Sequence, residues 1–342
     1  MRLRLTAARF SGSCALLALA LAACSSGPQS STPPVLPALN GADSQFEAPP
    51  AAVLRDARAA NAGGFLAAPA DELTSPAHIP IRGPVGLAVD SARNLYIANH
   101  ANGGSQILIY SAAGQQLTSR TITEKLGNPS GIFVAKNGFV YEADRANKTV
   151  QEYDTEGKFV RAIRVASSTS PFTPSEVTIS PSTGDIWVAL RDDNDIAVGR
   201  LDIFSPAGTL LRTTMQGLVY PLGIAFSPTT GLAWVGNSET PQGNSFSVFD
   251  ADLKLRATYR VDITPGYLAF DKAGDFWASA PFGTSVHHFT QQGRDLGGPL
   301  TKYVEFPYGV AIDSEGYVYV APVSENYIVK FDSKGHYVNA LK

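Results

Sequence analysis

The sequence predicts an all-β chain: a six-bladed β-propeller of four-stranded antiparallel blades, preceded by an export signal and a flexible tether. Three observations carry this. Six prolines open six similar segments, at Pro84, Pro129, Pro174, Pro221, Pro265 and Pro307, spaced 45, 45, 47, 44 and 42 residues apart. Each segment carries one aromatic on its second apolar run: Tyr96, Tyr141, Trp187, Trp234, Trp277 and Tyr319. A third run ends in Tyr110, Tyr153, Phe204, Phe249, Phe289 and Phe331, and glycine follows four residues later in five of the six. Self-similarity at this period marks a repeat architecture.

The chain opens with an export signal over residues 1–23. Arg2, Arg4 and Arg9 form its positive end, and Cys14–Ala23 is an apolar run of ten. Ten helical residues cover about 15 Å, half the hydrocarbon core of a bilayer, so the run is too short for a permanent span. Leu21-Ala22-Ala23-Cys24, followed by Ser25-Ser26-Gly27, resembles the bacterial lipobox. That resemblance implies lipidation at Cys24 and a membrane-anchored, exported protein. Ser25, where an inner-membrane retention signal would place Asp, leans the expected address to the outer membrane. Cys14 leaves with the signal and Cys24 carries lipid, so the mature chain is expected to hold neither a disulfide nor a thiol nucleophile.

Residues 24–75 read as a tether. The stretch from Ser25 to Pro50 is rich in Ser, Thr and Pro and cannot bury enough apolar area to offset the entropy of ordering. A short Ala/Arg helix is expected at Ala51–Ala60, ended by Gly63-Gly64. Removing the signal leaves 24 basic against 30 acidic residues. No basic footprint for nucleic acid exists, so nucleic acid is not an expected partner.

Residues 76–342 are the expected propeller. Within each unit, two short runs flank a tight turn holding Gly138, Gly184, Gly231, Gly274 or Gly316. Glycine there supplies the positive φ that a tight hairpin needs. Unit one departs, with Arg93-Asn94; Leu253 is the exception at the second glycine column. Short strands with such turns form small antiparallel sheets with two apolar faces, and radial stacking covers both. The pattern, seen in PVGLAVDSARNLYIANH and PYGVAIDSEGYVYVAPV, resembles the NHL-repeat family, which implies six blades. Only seven residues follow Gly335, so His336–Leu341 is the expected last outer strand. Ser75–Gly83 is expected to pack beside the last blade and close the seam.

In each antiparallel blade the start of the first strand and the end of the second share one rim. The candidate binding residues at that rim are Asn99, His100, Asp144, Arg145, Glu176, Arg191, Asn237, Tyr267 and Tyr308. Glu176 stands where four of six units have glycine, and Tyr267 and Tyr308 lie outside the repeated aromatic columns. Glu176, Asn99, Asp144 and Asn237 together offer oxygen ligands for Ca²⁺ or Zn²⁺. The set loosely resembles the metal site of gluconolactonase-like propellers, whose surrounding motifs are not matched. The alternative is that Glu176 pairs with Arg145 or Arg191, and that the Asn and Asp side chains cap turns. No motif links His100 to Glu176 as in virginiamycin B lyases, and no nucleophile elbow or phosphate loop occurs. His287 and His288, adjacent on one strand, are expected to point to opposite faces.

These observations favour a monomeric envelope lipoprotein whose propeller is a non-catalytic binding or scaffold module for an envelope protein, peptide or glycan. A metal-dependent hydrolase or lyase and an extracytoplasmic sensor of cell-wall material are the alternatives.

Overall fold

The computed structural model describes residues 79–101, 104–238 and 244–342. The signal, the lipidation site, the whole tether and the Ala51–Ala60 helix lie outside the described residues. Blade 1 comprises β1 (Pro84–Val89), β2 (Leu95–Ala101) and β3 (Gly104–Tyr110); blade 2 comprises β4 (Pro129–Val134), β5 (Val140–Asp144), β6 (Thr149–Tyr153) and β7 (Phe159–Arg164). Blade 3 is β8 (Phe172–Ile179), β9 (Ile186–Asp192), β10 (Gly199–Phe204) and β11 (Leu210–Thr214). Blade 4 is β12 (Pro221–Phe226), β13 (Ala233–Asn237), β14 (Ser245–Phe249) and β15 (Leu255–Arg260). Blade 5 holds β16 (Leu268–Phe270), β17 (Phe276–Ser279) and β18 (Val286–Phe289), and blade 6 holds β19 (Pro307–Ile312), β20 (Val318–Pro322), β21 (Ile328–Phe331) and β22 (Tyr337–Leu341).

All pairings are antiparallel meanders. In blades 1 and 5 the fourth strand shrinks to isolated bridges, Ile107–Ile122 with Tyr110–Gln116 and Val286–Leu300 with Phe289–Asp295. The inner strands touch in the cyclic order β1, β4, β8, β12, β16, β19 and back to β1, which closes a ring of six.

The core is divided among the seams between blades. The aromatic of each second strand faces the following blade, as when Trp187 packs against Ile224 and Val235, and Trp277 against Val310 and Val320. The next residue along faces the preceding blade. Ile97, Val188, Val235, Ala278 and Val320 fill that position in five blades, and in blade 2 it is Glu142. His288 stacks on Trp277 with ring centroids 4.3 Å apart, while His287 bonds Ser285 and Asp295, so the two adjacent histidines serve packing and surface.

Adjacent inner strands approach closely near their starts. A Cβ on Gly86, Gly223 or Gly309 would overlap the backbone of the following blade, which explains glycine at the third inner-strand position. A Cβ on Gly131 would overlap the Glu176 carboxylate and its Cα.

The seam between blades 6 and 1 is closed without strand exchange, since all four strands of blade 6 are consecutive. Ile81 is buried there with Ala311, Tyr319, Ile328 and Leu341. The backbone of Ile79 exchanges bonds of 2.8 and 2.7 Å with the Gln116 side chain, and the Arg82 N–H donates to Asn99 Oδ1. Residues 79–83 thus sit at the seam but are fastened to blade 1; residues 75–78 lie outside the described residues. Arg93 explains why unit one lacks the hairpin glycine. It adopts φ +66° and reaches across the seam to Asp313 (3.1 Å) and Glu315.

Candidate functional site

The oxygens at the ends of the second strands are engaged by their own loops. Asn99 Oδ1 accepts the Arg82 N–H at 2.6 Å. Asp144 accepts the N–H groups of Gly127, Asn128 and Asn147 at 2.6, 3.2 and 2.9 Å, and the Asn147 amide at 2.9 Å. Asn237 Oδ1 accepts the Val219 N–H, while its Nδ2 donates to Gly217 O, Ser245 and Ser247. In blades 2 and 4, therefore, this position pins the loop arriving from the preceding blade, and in blade 1 it pins the segment that leads into β1, an assignment that agrees with their turn-capping chemistry. The structure does not gather Asn99, Asp144 and Asn237 around Glu176.

The basic and aromatic candidates fill the channel end near that rim. Arg191 Nε lies 3.2 Å from Asp193 Oδ1 and its guanidinium sits 5.2 Å from the Tyr220 ring centroid. Arg145 Nη2 shares the same oxygen at 3.4 Å, and burial together with the Arg191 charge lowers its pKa. His100, half-buried, contacts Ser105 Oγ at 3.4 Å. Tyr267 and Tyr308, the aromatic candidates at the rim, are 3% and 4% exposed, with ring centroids 5.9 Å apart. Tyr267 belongs to blade 5, and its hydroxyl reaches Ser130 Oγ of blade 2 (3.0 Å) and donates to Ser175 O of blade 3 (3.3 Å). Those blades lie across the ring from it. The tyrosine therefore bridges the channel, and burial raises its pKa.

On the other side of that bridge lies a cavity of ≈ 840 Å³ lined by all six inner strands, from Glu176 and Tyr267 at its inner end to the first hairpins of the blades. Leu87, Ile132, Val177, Ile224, Leu268 and Val310 form its inner wall. The mouth is ringed by residues including Val134, Ile179, Phe226 and Phe270, with Lys136, Asp271, Lys272, Asp313 and Glu315 on the hairpins. It opens opposite to the rim that the sequence singles out, because the bulky third-position side chain of Tyr267 occupies the axis at the expected mouth.

Glu176 is 8% exposed and lines the inner end of this cavity. Its Oε1 accepts the N–H of Val177 at 2.9 Å. Neither Arg145 nor Arg191 pairs with it; Arg145 and Arg191 are turned to Asp193. Removal from water pushes the Glu176 pKa well above the ordinary carboxylate range, with the Val177 N–H opposing.

Glu142 is the residue the repeat columns conceal. It is fully buried at the seam between blades 1 and 2, and neither carboxyl oxygen has a hydrogen-bond partner. The Ser130 backbone N–H faces it outside hydrogen-bond geometry. Burial first, then the Asp144 charge, raise its pKa well above the usual range. The signal in the sequence is a break in an otherwise aliphatic column. Among the described residues no cluster of three or more His, Cys, Asp or Glu side chains is arranged to hold a metal.

No family model matches the chain. Solved structures do resemble it. A streptogramin B lyase superimposes with TM-score 0.58 at 15% identity, over 77% of this chain and 84% of that one. A gluconolactonase from Xanthomonas campestris does so with TM-score 0.57 at 20% identity, over 71% and 84%. A chain of the nidogen/laminin complex gives 0.58 at 16%, over 72% and 92%. The likeness is one of fold. It spans two enzymes and a chain of a protein complex, and at these identities function does not travel with architecture.

Proposed function

We propose that the protein is a non-catalytic ligand-binding propeller, held at the cell envelope by lipid on Cys24, whose ligand enters the central channel from the hairpin face. The observation that carries this reading is the ≈ 840 Å³ axial cavity, walled by aliphatic side chains and closed at its inner end by Glu176 and Tyr267. A preformed, mostly apolar cavity with few polar groups at one end is the usual form of a small-molecule site. The ring supplies the rigidity. The bridge from Tyr267 to Ser130 and Ser175 fixes the inner end from both sides.

The metal-dependent hydrolase or lyase alternative draws on the fold neighbours, but it needs oxygens converging on Glu176. Those of Asn99, Asp144 and Asn237 hold loop N–H groups. The binding reading therefore fits the donor set better.

The test is thermal denaturation of the protein against apolar solutes, envelope peptides and cell-wall glycan fragments, beside Val134→Trp, which narrows the mouth. A ligand binding only the folded state at a hundredfold excess over Kd stabilises by about 2.7 kcal/mol. The reading requires a stabilising ligand whose effect Val134→Trp removes; persistence of every effect in that variant, or no effect with any compound, overturns it. Cys24→Ser is expected to release the protein from membranes with its melting temperature unchanged.

A further inference from the structure

We infer that the channel selects an organic ammonium with an apolar body, its charged head seated on Glu176; this rests on the channel being the binding site. The first ground is the state of the carboxylate. Oε1 is taken by the Val177 N–H at 2.9 Å, whereas Oε2 carries no hydrogen bond and no Lys or Arg forms an ion pair with Glu176 among the described residues. The residue is more than nine-tenths buried and lines the inner end of the cavity. Its carboxylate rests over Gly131, in space that only a glycine leaves open.

The second ground is what surrounds it. Tyr267 is the other polar side chain at that end, and its hydroxyl is engaged by Ser130 and Ser175. The remaining inner wall is mostly aliphatic, with Thr178 the neighbouring hydroxyl on the Glu176 strand. A divalent metal needs several oxygen ligands, and one carboxylate oxygen with hydrocarbon walls does not replace its hydration shell. An anion meets a carboxylate. A neutral apolar solute strips water from Glu176 and returns no hydrogen bond. An ammonium on an apolar body donates a charge-assisted bond to Oε2 while covering the aliphatic wall.

The titratable and charged groups around this carboxyl are Glu142 from the neighbouring blade, Tyr267 from across the channel, and Lys136, Asp271, Lys272, Asp313 and Glu315 at the far mouth. Arg191 and Arg145 lie beyond the Tyr267 bridge and are turned to Asp193, so no cation pairs with the carboxyl from the cavity side. Burial raises the pKa of this carboxyl and an ammonium on Oε2 lowers it again, so binding is expected to expel protons.

The experiment is isothermal titration calorimetry with three solutes sharing one body: cyclohexylmethylamine, cyclohexylmethanol and cyclohexanecarboxylate. Each is titrated into the protein, into Glu176→Gln and into Glu176→Gly, whose glycine four sibling blades carry. The amine is expected to bind the unaltered protein at least tenfold more tightly than the alcohol, and the carboxylate not at all. Both variants are expected to bring the amine down to the alcohol's affinity and leave the alcohol within about twofold. Repeating the amine titration in buffers of different ionisation enthalpy should report proton release that vanishes in Glu176→Gln. Equal binding of amine and alcohol, or a preference surviving both substitutions, overturns the ammonium assignment and leaves the channel reading standing. Stabilisation by CaCl₂ or ZnCl₂ that is lost with Glu176 overturns it in favour of a metal. Failure of all three solutes to bind also overturns the ammonium assignment, while the channel reading is decided by the denaturation panel and Val134→Trp.

Discussion

Glu142→Val should make the protein more stable, by an amount that grows with pH. Position 142 is occupied by Val188, Val235 and Val320 in the equivalent places of blades 3, 4 and 6, so valine suits the seam, and its volume is close to that of glutamate. Both Glu142 oxygens are buried without partners. Relieving an unsatisfied buried polar group is worth about 1–3 kcal/mol. A pH-dependent part adds to this. The folded-state pKa of Glu142 lies well above its unfolded value, so the native protein keeps a proton that the unfolded chain releases. Stability contributed by that proton is present below the unfolded pKa and is lost as pH rises toward the folded one, at about 1.4 kcal/mol per pH unit. Between pH 4.3 and 7 the loss from a single such group reaches a ceiling of about 4 kcal/mol. Glu176 titrates with the same sign but is common to both proteins and cancels in the difference. Urea denaturation of the two proteins at pH 4.5, 6 and 7.5 is the assay, with slopes compared to verify that the same surface unfolds. A destabilised variant, or an advantage equal at all three pH values, refutes the account of Glu142 as a buried, unpaired, proton-holding carboxyl.

Three further outcomes follow from the ring. Gly131→Ala should lower stability by about 1–3 kcal/mol, because its methyl group overlaps Glu176; pairing it with Glu176→Gly should recover part of the loss in a thermal melt. Tyr267→Phe should cost about 1–2 kcal/mol by removing the link from blade 5 to blades 2 and 3, while the Ser130–Ser175 bond of 2.9 Å survives. Arg93→Gly tests the seam: glycine relieves the positive φ, yet the buried Asp313 loses its cation, and net destabilisation is expected in chemical denaturation.

Most of the architecture was legible because it is written six times. A proline, an aliphatic run, a hairpin glycine and an aromatic recur with a fixed phase, and each has a local cause that needs no knowledge of the partner blade. The departures were legible as departures but not in meaning. Arg93 breaks the glycine column to reach a residue 220 positions away, and Glu142 breaks an aliphatic column that has no motif of its own. The site was harder still. Sequence places Glu176 and Tyr267 at equivalent inner-strand positions, yet nothing local says that one hydroxyl crosses the axis and so decides which mouth is open. Likewise, Asn99, Asp144 and Asn237 have the composition of a ligand set; whether their oxygens face an ion or backbone depends on where the chain entering each blade runs.

The way the ring closes also decides how it bears force. Its first strand, β1, is a hub strand, and the chain leading into it is clasped by the Gln116 side chain and by Asn99. Tension arriving through the N-terminal side meets those clasps in sequence before it loads any interstrand ladder. Beyond them it draws on the hub itself, where Arg93 with Asp313 and Glu315, and the Tyr110 hydroxyl with Lys342 O, stitch blade 1 to blade 6. A protein tugged from that end would yield like a zip opened from the middle of a wheel, blade 1 first, with the Arg93–Asp313 pair among the stitches that must part.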